Sequence, residues 1–198
     1  MQSIIEVMQS QLWFYLTTVG LVSLCVGSFL NVVIYRLPLM MQREWQSECR
    51  LLLEDELTTN KPKQANTSEP FNLVKPNSTC PKCKTAIKPW QNIPVVSWIL
   101  LKAKCASCSN PISARYPAVE AITAILSLII AYSFGATEQA LLYIFITWIL
   151  VALTFIDIDH MLLPDQLTLP LVWLALIAAV AGITITPSDA IMGAAFGY

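Results

Sequence analysis

Four cysteines fall into two pairs, Cys80-Pro-Lys-Cys83 and Cys105-Ala-Ser-Cys108, with 21 residues between them. One such knuckle sets two thiolates on one side of an ion, and a second closes the tetrahedron. The spacing therefore resembles a four-cysteine zinc ribbon. A site closed by four thiolates leaves no open position for substrate, so structural zinc is expected at Cys80, Cys83, Cys105 and Cys108. Isoleucine follows each knuckle at the same offset, Ile87 and Ile112, so C-x-x-C-x-x-x-I occurs twice. Two disulfides or four unligated thiols are the alternatives. The segment is expected on the cytoplasmic side, where thiols stay reduced. Lys82, Lys84 and Lys88 read as a solvated, positive-inside face, and no nucleic acid partner is expected. Cys25 and Cys49 have no partner at motif spacing.

A second group is acidic. Asp157-Ile-Asp159-His160-Met-Leu-Leu-Pro164-Asp165 packs three aspartates and the chain's single histidine into nine residues, directly after an apolar run. Charges at membrane depth are costly and mark function. Three chemistries fit these residues. The first is a polar turn that ends one helix, with Asp165 or Thr168 capping the next. The second is a divalent-metal site of carboxylates and His160, as in a membrane transferase acting on phosphoesters. The third is an intramembrane aspartyl protease, in which two carboxylates share one proton; one activates water and the other donates to the carbonyl. The residues alone leave all three open.

Such groups need elements to hold them, and the composition says which. Hydrophobic residues make up 56% of the 198, charged residues 13%, and mean hydropathy is +0.59. A soluble domain carries ~25% charged residues, so these figures oppose a soluble protein and exclude disorder and collagen. A spanning helix needs ~20 mostly apolar residues. Runs at 12–35, 116–134, 140–156 and 167–185 qualify, and a fifth begins at 190. The first run is expected to be a spanning helix and not a signal peptide, because it lacks a basic n-region, is long for a signal's apolar core, and is followed instead of preceded by basic residues. The expected fold is an all-α polytopic membrane protein: four complete transmembrane helices plus the start of a fifth, with a zinc-ribbon-like cytoplasmic loop.

All 12 Lys and Arg lie between Arg36 and Arg115, against six acids in that stretch, a net +6. The positive-inside rule then places 36–115 in the cytoplasm and the N-terminus in the periplasm. The expected organisation is 1–35 for the N-terminal segment and first helix, 36–115 for the loop with its cysteine module at 80–111, and 116–198 for the membrane helical part. Within the loop, 42–60 reads as a short amphipathic helix and 61–79 as irregular chain. Gly20, Ser23 and Gly27 form a small-residue face suited to close helix packing.

Taken in order, several stretches resemble the type IV prepilin leader peptidases, membrane aspartyl proteases of the GxGD class. They are Gly27-Ser-Phe-Leu-Asn-Val-Val-Ile-Tyr-Arg-Leu-Pro38, the four cysteines, Asn92-Ile-Pro-Val-Val-Ser-Trp98, Arg115-Tyr-Pro-Ala-Val-Glu120 and the Asp157–Asp165 block. The resemblance implies a multi-pass enzyme of the bacterial inner membrane. It would cut the basic leader of prepilins or pseudopilins, in type IV pilus or type II secretion systems, at the cytoplasmic face. It would also N-methylate the new terminus with S-adenosylmethionine. Asp157, seven residues before Pro164, takes the place of the first catalytic aspartate; Asp159, His160 and Asp165 become accessory. Glu120 becomes a packing or pairing residue. The family's second aspartate stands in Gly-x-Gly-Asp, a motif these 198 residues lack. The chain is thus expected to be the N-terminal portion of a longer protein, truncated within the fifth helix and inactive alone. The alternatives are the metal-dependent transferase and a non-enzymatic zinc-binding membrane adaptor.

Overall fold

The computed structural model describes Met8 and residues 10–56 and 71–197. Among them every regular element is helical. In order these are α1 (Leu12–Glu56), a 3-10 turn (Pro89–Asn92), α2 (Val96–Leu100), α3 (Arg115–Phe134), α4 (Glu138–His160), α5 (Asp165–Val180) and α6 (Pro187–Gly197). By length and composition α1, α3 and α4 are long and apolar enough to cross a membrane, which marks a membrane protein. The fourth expected run emerges as the 16-residue α5. At 1.5 Å per residue it reaches ~24 Å, short of a ~30 Å hydrocarbon core.

The first helix does not stop where composition changes. It runs unbroken for 45 residues, about 67 Å, through the interior Pro38. The boundary expected between 35 and 36, and the separate helix expected at 42–60, both fall within this one rod as far as Glu56. Extension adds one hydrogen bond per residue to a nucleus already formed, and Gln, Arg, Glu and Leu propagate helices well. Proline loses one ladder bond, but its ring is fully buried here.

Two clusters set the directions of the bundle. Near one end, Tyr15 and Val19 of α1 pack with Ala131 and Ile144. Near the other, Leu30, Val33, Ile34 and Leu37 pack with Val119, Val151, Ala152 and Ile156. So α3 runs antiparallel to α1, and α4 runs parallel to it. In lipid, packing and hydrogen bonds must replace the hydrophobic drive between helices. Trp148 Nε1 donates to Ser127 Oγ at 2.9 Å, tying α4 to α3. Tyr15 Oη donates to the Gly135 carbonyl at 2.9 Å, tying α1 to the α3–α4 turn. Gly135 has φ +64°, where a side chain would be strained.

The closest approach is at Gly27. A Cβ there would lie 2.7 Å from the Glu120 Cα and 3.3 Å from the Thr123 Cβ. Asn31, one turn on, donates from Nδ2 to the Tyr116 carbonyl at 3.1 Å. The small-residue face thus seats α3 against α1, with Gly27 as its tight point; Gly20 meets only ordinary contacts with Leu128.

Candidate functional site

The two knuckles fold as a structural repeat offset by 25 residues. In the first, Cys80 N–H donates to Thr85 O, Lys84 N–H to Cys80 O and Ile87 N–H to Ser78 O. In the second, Cys105 N–H donates to Asn110 O, Ser109 N–H to Cys105 O and Ile112 N–H to Ala103 O. Each turn needs one residue at positive φ, Lys84 at 58° and Ser109 at 56°. Each is flanked by an isolated antiparallel bridge, Thr79 with Ala86 and Lys104 with Pro111.

This repeat brings all four thiols together. Their sulfurs lie within 4.8 Å of one another, and none is in a disulfide. Cys80 Sγ and Cys108 Sγ are 3.7 Å apart. A tetrahedron with ~2.3 Å metal–sulfur bonds has an edge of ~3.8 Å, so the donor set fits a four-coordinate ion. The thiols are also primed unequally. The hydroxyl and then the backbone N–H of Thr85 draw Cys83 down to about 6. The N–H groups of Ser107 and Cys108 lower Cys105. The Asn110 N–H pulls on Cys108 as well, but burial and the neighbouring sulfurs together push that thiol up to about 11. Four negative charges cannot crowd here without a cation to offset them. The four cysteines could therefore hold a metal ion.

Two side chains fix the module to the bundle. Arg36, buried on α1, donates to three backbone carbonyls: Asn72 at 2.9 Å, Leu73 at 3.3 Å and Pro76 at 2.6 Å. These residues lead directly into the first knuckle. Glu120, buried on α3, accepts from the Val95 N–H at 2.7 Å and from the Ser28 side chain. It pairs where pairing was expected, and it does so beside Gly27. Trp98 Nε1 donates to the Ile112 carbonyl at 3.2 Å, linking α2 to the second knuckle. Sequence reasoning missed the role of Arg36; its only signal was a lone arginine directly after a charge-free span.

The acidic block spans the end of α4 and the start of α5. The helix continues to His160 and closes at Met161, which sits in the left-handed region at φ 49° and donates its N–H to the Asp157 carbonyl. Asp157 therefore lies in the last helical turn, exposed, and its side chain has no hydrogen bond or ion pair among the described residues. Asp159 differs. Arg115 grips it with two parallel bonds, one of them 2.7 Å, and stacks 5.4 Å from the Phe155 ring centroid. Pro164, not Asp165 or Thr168, occupies the N-cap of α5, and its carbonyl accepts from Leu167 and Thr168. Asp165 follows in the first turn, where a carboxylate suits the helix dipole. His160 is exposed. Among the described residues the four-cysteine group alone could hold a metal ion; Asp157, Asp159, His160 and Asp165 do not assemble into one.

Asp157 shares its end of the bundle with the metal module, since Ile156 packs against Leu30–Leu37 near Arg36. Asp189 is elsewhere. It accepts from Thr186 Oγ1 at 2.7 Å at the start of α6, in a groove also lined by Leu142 and Tyr143. Those residues are 14–15 positions from Asp157 along α4, about 22 Å.

A family described as "Bacterial Peptidase A24 N-terminal domain" matches residues 21–134, and "Type IV leader peptidase family" matches residues 144–198. The chain is 46% identical over 199 residues to the "Prepilin leader peptidase/N-methyltransferase" of Aeromonas hydrophila, covering 100% of this chain and 66% of that protein. It is 52% identical over 187 residues to the protein of the same name from Pseudomonas aeruginosa, covering 93% and 61%. The Neisseria gonorrhoeae protein of that name is 45% identical over 185 residues, covering 93% and 63%. The chain thus spans just under two thirds of these relatives' length. No solved structure matches it.

Proposed function

The chain belongs to the type IV leader peptidase family, and on that premise we propose that it supplies Asp157 and the metal-bearing module of a prepilin leader peptidase. The substrates are prepilins or pseudopilins whose basic leader lies at the cytoplasmic face of the inner membrane. In this topology the N-terminus is periplasmic and the module cytoplasmic, as the placement of every Lys and Arg between 36 and 115 favours. One contrast carries the assignment. Asp157 is exposed and uncommitted at the module's end of the bundle, whereas neighbouring Asp159 is gripped by Arg115.

The chemistry is general acid–base hydrolysis. Asp157 shares a proton with a second carboxylate, which the resemblance places in a Gly-x-Gly-Asp motif. The ionised member removes a proton from water as the oxygen attacks the scissile carbonyl carbon. The protonated member donates to the carbonyl oxygen. The carboxyl that took the water's proton then gives it to the nitrogen as the carbon–nitrogen bond breaks, a hydroxyl on the tetrahedral carbon returns its proton to the other carboxylate, and the products are the leader's new carboxyl group and the free amine of the mature chain. Arg115 holds Asp159 out of this exchange.

Zinc is the ion we assign to Cys80, Cys83, Cys105 and Cys108. It supplies a closed structural cross-link between the two knuckles. S-adenosylmethionine is the methyl donor for the N-methylation that the relatives' name carries. Two grooves that lie between helices are apolar. Neither suits so polar a group.

The test is Asp157→Asn in the full-length protein, assayed on a prepilin. Cleavage should vanish while metal content and melting temperature stay unchanged. Wild-type cleavage by a folded Asp157→Asn protein refutes the assignment.

A further inference from the structure

The segment between the two knuckles exposes apolar side chains that nothing among the described residues covers. Val96, Ile99 and Leu100 stand at i, i+3 and i+4 of α2, so they share one face, with Ile99 61% and Leu100 75% exposed. Trp98 turns the other way, toward Ile112. Trp90 and Ile93, in and just after the preceding 3-10 turn, are exposed as well. The charge around this face has one sign: from residue 71 to residue 119 every charged residue is Lys or Arg. Lys88, Lys102 and Lys104 flank the segment in sequence and are exposed, with no ion pair among the described residues.

The anchoring of the segment fixes its depth. The Val95 N–H bonds to Glu120, the sixth residue of α3. Five residues of rise put that bond about 7.5 Å inside the mouth of a spanning helix. A segment tied there cannot stand off in bulk water. On a helix that spans a ~30 Å hydrocarbon core, that position is near the level where headgroups meet acyl chains.

We propose that α2 and the flanking 3-10 turn form an interfacial anchor that inserts Val96, Ile99 and Leu100 into a leaflet rich in anionic lipid. The three lysines engage the headgroups. Apolar burial of this kind, joined to basic residues at its rim, is the chemistry of in-plane membrane elements. Each lysine near an anionic surface favours association by roughly fivefold. The anchor would hold the metal module flat against the membrane, and it goes beyond the peptidase assignment without depending on it.

The test places a benzophenone amino acid at Leu100 in the full chain, reconstituted into vesicles of phosphatidylglycerol or of phosphatidylcholine, and analyses the photoadducts by mass spectrometry. A second variant carries the probe at Ile99, in case one substitution disturbs the fold; retained metal stoichiometry reports an intact module. A probe at Leu53 is the aqueous control, since it lies 17 residues beyond Arg36 on α1, about 26 Å farther along the rod. The expected result is lipid adducts at 99 and 100, at least fivefold more abundant in phosphatidylglycerol, with the excess lost in Lys88→Gln/Lys102→Gln/Lys104→Gln. Three results overturn the proposal: no lipid adduct above the Leu53 level, equal adducts in both lipids, or adducts to a protein chain such as an added prepilin. None of these bears on Asp157, so failure of the anchor and failure of the peptidase assignment are separable.

Discussion

Replacing Gly27 with alanine should separate two helices that the rest of the structure holds together. The new Cβ would sit 2.7 Å from the Glu120 Cα, a backbone atom that cannot swing aside. A carbon–carbon contact relaxes only near 3.5–4.0 Å, so α1 and α3 must part by ~1 Å. Overpacking of this kind costs about 1–3 kcal/mol, and backbone contact argues for the upper end. Removing a glycine from a helix returns about 0.5–1 kcal/mol. The net is about 2 kcal/mol of destabilisation, or some 4–8 °C for a chain of this size. Gly20→Ala is the matched control. Its Cβ would meet Leu128 at 3.6 Å, an ordinary contact, so the propensity gain should stand and melting should stay level or rise. The assay is thermal unfolding of both variants in one detergent, followed by circular dichroism. A Gly27→Ala protein that melts with wild type, or a Gly20→Ala protein that melts as low, would refute the close-approach argument.

Four further outcomes follow from the site. Metal binding to the cluster must release at least the proton of Cys108, whose thiol is held near 11. Protons therefore favour the empty form, and apparent zinc affinity should rise at least tenfold per pH unit between 6 and 8, as measured by competition with a chromogenic chelator; Cys80→Ser should lower the zinc stoichiometry at every pH. Asp159→Asn should cost no more than about 1 kcal/mol, because the Arg115 pair is partly exposed, with the two side chains 41% and 26% accessible. Asp157→Asn should cost less than Asp159→Asn in the same melts, since it removes no partner, and the reverse order would count against an uncommitted Asp157.

The metal module was legible because its signal is local: two knuckles at fixed spacing, with an isoleucine repeated at the same offset, become two turns with identical hydrogen bonds. The helices were legible from apolar length, but their ends were not. The first run was expected to stop at 35, whereas helix propagation carries α1 through Pro38 to Glu56. The apolar run of α4 stops at 156, whereas a left-handed Met161 lets the helix continue to His160. Asp157 stood out by resemblance, but its freedom and the capture of Asp159 depend on Arg115, 44 residues away in sequence. No local pattern encodes that pairing. The same holds for Arg36, whose hydrogen-bond partners are backbone carbonyls, and for the Val95 amide that Glu120 accepts, since backbone groups carry no side-chain signature.

Glu120 is where these separate facts meet. The residue that accepts the Val95 amide is also the one whose backbone lies against Gly27. Helix packing in the membrane and seating of the metal loop thus share a single junction. A breathing motion that parts α1 from α3 must loosen that amide in the same event. The bundle and the module should then open as one cooperative unit, with amide exchange at Val95 keeping pace with exchange at the centre of the helices, although the two lie in different solvents.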